Sequence, residues 1–106
     1  MPHLSWRASV GNWRLNHFKA FKAFSAVVFA ESPLRGVTKQ LIAVAVAHVT
    51  QCPYCIKGQT SAALKHGTSE EQIMEAIWVA AEMRAGGAYG HSTLALDTMQ
   101  HEHDAE

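Results

Sequence analysis

An all-α fold is predicted by three observations. Seventeen of the 106 residues are Ala, against 3 Pro and 7 Gly, and Ala is the best helix former and a poor strand former. Apolar residues recur at three- and four-residue steps in the first and fourth segments. Helix start and stop residues punctuate the second half of the chain, and no alternating run bounded by turns follows residue 55.

The opening, Met1 to Gly11, has no clear period, and Asn12 is placed to cap the first helix. From Trp13 to Ala30 the residues Trp13, Leu15, Phe18, Phe21, Phe24, Val27, Val28 and Phe29 mark an amphipathic helix with Arg14, Lys19 and Lys22 between them. Its stripe holds all four Phe, and reads as core packing, or as burial against another subunit or a substrate channel. Glu31 to Gly36 is a breaker cluster around Pro33, so a new element starts near Thr38. Lys39 to Gln51, KQLIAVAVAHVTQ, fits either a buried strand or a helix buried all round; its length and Ala content favour helix.

Cys52-Pro53-Tyr54-Cys55 opens the third helix. Pro suits the first helical position, which puts Cys52 at the N-cap and Cys55 in the first turn. Gly67 closes the helix in a left-handed conformation. Thr68 to Glu71 matches a capping box, followed by Ile73, Ile77 and Ala80 on one face. Gly86-Gly87 is expected to interrupt this helix. Ala88 to about Gln100 then forms the last one, before a polar tail, His101 to Glu106, expected to be flexible.

One domain is the expectation at this length, with the whole chain, 1–106, as its extent. Nine Lys+Arg balance nine Asp+Glu, which removes the bulk attraction that non-specific nucleic-acid or anionic-membrane binding requires. The apolar stretch Leu41 to Val49 is half of what spans a bilayer, and the N-terminus has no secretion signal. A soluble, cytoplasmic protein is expected, with no nucleic acid and no membrane as partner. So small a chain buries a limited fraction of its surface, so self-association is expected.

The two cysteines sit three apart. In a reducing compartment that spacing points to redox chemistry or to a metal. Backbone N–H groups and the helix dipole favour a thiolate at a helix start, and the second thiol one turn on can close onto the oxidised product. The alternatives are two inert buried thiols, or half a zinc site completed by His48 and His66. No second CxxC or HxxxH accompanies the pair, so neither metal nor cofactor is expected.

CPYC also resembles the redox motif of glutaredoxins. That fold, however, needs strands around the motif and a cis-proline facing it, and Pro53 is the last proline here. The run KQLIAVAVAHVTQCPYCIKGQTSAALKHGTSEEQIMEAI instead resembles the core of the alkylhydroperoxidase D family, within the carboxymuconolactone decarboxylase superfamily. The likeness extends loosely through Arg84-Ala85-Gly86-Gly87 to cover about residues 35–96. It implies an all-helical bundle, a trimeric or hexameric assembly, and a CxxC pair acting as peroxidase or disulfide reductant. It further implies that Cys55 meets the hydroperoxide and Cys52 resolves it. The family's proton-relay His and Glu correspond here to Gln59 and Gln40, and neither amide can serve as a general base. His48 offers a replacement: if the helix continues past Val49, it shares a face with Cys52. His91 is a second candidate.

The function expected is therefore reduction of alkyl hydroperoxides by Cys52 and Cys55, with His48 as base and an external dithiol as reductant. Two alternatives stand beside it: a non-enzymatic redox-sensing helical module, and a lyase of the decarboxylase type.

Overall fold

The computed structural model describes residues 2–105, with side chains from residue 9 onward. Five helices follow one another: α1 Pro2–Phe29, α2 Gly36–Thr50, α3 Pro53–Lys65, α4 Glu70–Gly90 and α5 Ser92–Ala105. No strand occurs among the described residues. The chain divides into two compact units, Met1–Gly36 and Val37–Glu106.

The first unit is α1 and the bend that ends it. α1 begins well before Trp13, so Asn12 lies inside the helix and caps nothing. Gly11 and Asn12 are weak helix formers, but two such residues do not outweigh a long run of good ones. The helix gives way at Ala30, whose N–H reaches back to Val27 O at 3.4 Å, and Ser32 closes a tight bend onto Leu34 O.

In the second unit α2 resolves the strand-or-helix ambiguity in favour of helix. Gln40, Val44 and Ala47 form its buried stripe at four- and three-residue steps. Val44, fully buried, meets Ala63 of α3 and Ile73 of α4, with Leu41 and Ile77 packed against them. Ala47, Ala63 and Ala80 are buried as well. The interior is thus a few side chains wide.

Gly67, at φ +89, closes α3 as the spacing predicts, with Gly67 N–H donating to Leu64 O and Thr68 N–H to Ala63 O. Thr68 is consumed by that closure and buried, so the capping box moves on by one residue. Ser69 Oγ accepts from Gln72 N–H at 3.1 Å, and Gln72 Oε1 accepts from Ser69 N–H at 2.9 Å. Glu70 and Glu71 occupy the first turn, where the dipole favours them.

α4 runs straight through Gly86-Gly87, correcting the expected interruption. Glycine costs a helix about 1 kcal/mol per residue without forcing a break. The break comes at His91, which caps α4 through its N–H to Gly87 O. The segment from His101 continues α5 to Ala105.

Candidate active site

The two cysteines stand where α2 hands over to α3. α2 ends at Thr50 with Gln51 in the left-handed region, φ 58, and Cys52 N–H donates to Ala47 O at 3.3 Å. This is a helix stop of the type that usually employs glycine. A side chain there costs roughly 1 kcal/mol, so the surroundings must hold it. Arg84 of α4 does so. Its Nη1 donates to Val49 O at 2.8 Å. With the amide turned to satisfy both groups, Gln51 Oε1 accepts from Arg84 Nη1 and Nη2 at 3.2 and 3.3 Å.

Past this corner Cys52 is extended, φ −96 and ψ 108, and takes the N-cap of α3 with Pro53 in the first turn. Its carbonyl accepts from Ile56 N–H at 2.9 Å, and its Sγ accepts from Cys55 N–H at 3.3 Å. Both thiols are free, Cys52 half-buried and Cys55 exposed. The bond to the Cys55 side chain holds the Cys52 thiol below its ordinary pKa, aided by the backbone N–H groups of Cys55 and Tyr54. Cys55 is pushed up, first by that same bond, then by desolvation and by the negative charge on Cys52.

The sign has a measurable consequence. Cys52 carries thiolate below the normal thiol range and loses it as pH falls through its lowered pKa, whereas Cys55 ionises only at higher pH. A short iodoacetamide pulse at neutral pH, mapped by mass spectrometry, should label Cys52 ahead of Cys55, with the preference shrinking as pH rises. Equal labelling across the range would contradict the assignment.

None of the remaining expected residues is hydrogen-bonded to either sulfur. His48, part-buried on α2, has Nδ1 2.8 Å from Val44 O. Because α2 stops at Thr50, the helical register that would place His48 over Cys52 is broken by Gln51. Among the described residues no hydrogen bond joins His48 to either sulfur. His91 is exposed at the end of α4. His66, at the far end of α3, hydrogen-bonds Ala62 O and lies about 16 Å along the helix from Cys55. It cannot share a metal with the pair, and among the described residues no three His, Cys, Asp or Glu side chains are grouped to hold one. Gln59 is half-buried one turn after Cys55, while Gln40 is buried with its Oε1 unpartnered.

Sequence reasoning gives Arg84 and Gln51 no role. Nothing in a glutamine signals a left-handed corner, and Arg84 acts across 35 positions of chain. A groove of about 460 Å³ between α2 and α4 does not include the cysteines.

Comparison with known proteins fits this architecture. The model of the carboxymuconolactone decarboxylase family matches residues 16–98. A protein of Paracoccus denitrificans, known as uncharacterized protein 4 in its cox locus, is 66% identical over 77 residues, covering 73% of this chain and 69% of its own length. A crystal structure from Methanobacterium thermoautotrophicum is 33% identical with a TM-score of 0.68, spanning 74% of this chain and 90% of that one. A carboxymuconolactone decarboxylase family protein from Legionella pneumophila is 25% identical, TM-score 0.64, over 74% of this chain and 70% of its own. The chain belongs to the carboxymuconolactone decarboxylase family.

Proposed function

We propose that the protein is a thiol-dependent peroxidase and disulfide oxidoreductase that works as a homo-oligomer, a trimer or hexamer, in the cytoplasm. The observation that carries the reading is the Cys52 sulfur at a helix N-cap, receiving the Cys55 N–H at 3.3 Å, with a second thiol one turn away.

The order proposed for the two thiols turns on which sulfur is held as thiolate. Cys55 is the more exposed, and the family resemblance gives it the attack. Only a thiolate attacks a peroxide, however, and the Cys55 N–H that Cys52 Sγ receives at the N-cap favours a thiolate there. The Gln at positions 40 and 59 supply no base that would ionise Cys55 instead. Cys52 S⁻ attacks the terminal oxygen of a hydroperoxide. The S–O bond forms, the O–O bond breaks, and the alkoxide leaves and takes a proton. The Cys55 thiol then attacks the sulfenyl sulfur, forming the disulfide and releasing water. An external dithiol returns two electrons and two protons. His48 is the proposed base for the proton that leaves the Cys55 thiol in the resolving step, reached by a rearrangement of the corner, since no hydrogen bond joins it to either sulfur at rest. Its Nδ1 is engaged by Val44 O, so Nε2 carries the lone pair.

A second reading is favoured by Gln40 and Gln59 themselves: a redox staple that oxidises once without turning over. One experiment separates the two. Reduced protein given one equivalent of an alkyl hydroperoxide should lose two thiols and gain the Cys52–Cys55 disulfide. With excess dithiothreitol it should consume many equivalents. Disulfide formation without turnover supports the staple, and two thiols left free overturn both. Undiminished conversion of a lactone acid by a protein lacking both thiols would instead point to lyase chemistry.

A further inference from the structure

The zero net charge conceals a division. Residues 1–36 hold five Lys and Arg against the single Glu31, a balance of +4, while residues 37–106 hold four against eight acidic residues, a balance of −4. α1 contains no acidic residue at all. Along it Phe18, Phe21 and Phe24 are 52%, 64% and 64% exposed. The Lys22 ammonium sits 5.7 Å from the Phe18 ring centre, and the Phe21 and Phe24 rings are 6.4 Å apart. In the second unit, the α2–α4 groove has an apolar floor that includes Leu41, Ile42, Ala45 and Val79, with Glu71 and Glu75 also lining it.

A cationic aromatic helix and an acid-bearing apolar groove, carried on the same chain in equal numbers, complement each other in shape class and in charge.

We propose that α1 of one copy lays Phe18 and Phe21 into the α2–α4 groove of a second copy, with Lys22 facing Glu71 and Glu75. This rests on the homo-oligomer reading and is independent of the thiol chemistry. Apolar burial supplies the affinity, and the charges fix register and partner. An anionic lipid surface is the weaker occupant for α1, because the eight acidic residues of the second unit would be repelled by it.

Sedimentation equilibrium and native mass spectrometry test the interface. Lys22→Glu and Glu75→Lys should each weaken assembly by about tenfold or more in Kd. Mixing the two variants should restore it in mixed oligomers, since the reversed charges then meet across copies. Phe21→Asp should leave a helical, unassembled chain. An oligomer indifferent to all three changes overturns this interface while sparing the assembly itself. A wild-type monomer at high micromolar concentration overturns both, and co-sedimentation of α1-intact protein with anionic vesicles in place of self-association overturns the proposal in favour of lipid.

Discussion

Cys52→Ser is expected to cut dithiol-supported peroxide consumption by at least about 100-fold while leaving the fold intact. Serine is a preferred N-cap residue and can accept the same Cys55 N–H, so this substitution removes the sulfur and keeps the cap. The complementary variant gives a different phenotype. Cys55→Ser keeps the attacking thiolate but lacks the resolving thiol, so one peroxide equivalent should leave a sulfenic acid on Cys52 that a dimedone-type probe traps. Finding the sulfenic acid on Cys55 in the Cys52→Ser protein, and none in the converse, would restore the order that the family resemblance implies. The two proteins therefore report which sulfur is oxidised first as well as whether either is needed.

Ile73→Ala should destabilise the second unit by about 3 kcal/mol, read from urea unfolding monitored by helical circular dichroism. Ile73 is 5% exposed and meets Val44 and Ala63 across all three core helices. In a core this narrow no second layer exists to relax into the space left behind. A loss of that size is a large fraction of what holds a small domain together, so the variant should unfold near body temperature or depend on assembly for its fold. A loss below about 1 kcal/mol would mean that the site collapses freely and that the core contact is not what joins α2, α3 and α4.

Much of this architecture is legible because particular residues carry local instructions. Pro53 and Gly67 mark the two ends of α3 whatever surrounds them, and the structure places both ends there. The next boundary is ambiguous by one residue, since Thr68–Glu71 and Ser69–Gln72 both spell a capping box. The choice is made by Gly67, whose turn draws the Thr68 N–H back to Ala63 O and buries the threonine, leaving Ser69 as the first free cap. Gly86-Gly87 misleads because a weak helix former reads as a stop, when its cost of about 1 kcal/mol per residue is small enough for α4 to run on to Gly90. At the site, the CxxC pair and its place at a helix start are legible from spacing alone. The corner before it is not. Gln51 adopts its left-handed backbone because Arg84 holds it from another helix, and no pattern of neighbours records a contact 35 positions away. That corner also takes His48 out of register with Cys52, since the shared face requires one unbroken helix.

The buried alanines carry a consequence for how such a chain can vary. At Ile73 or Val44 a substitution does damage by removing atoms and leaving a gap. At Ala47, Ala63 and Ala80 almost nothing can be taken away, and each added carbon must be forced into closed space, at about 1–3 kcal/mol. These three positions therefore act as a one-sided filter on drift. They pass the smallest residues and refuse the rest, so the volume of the core is inherited through what the alanines exclude.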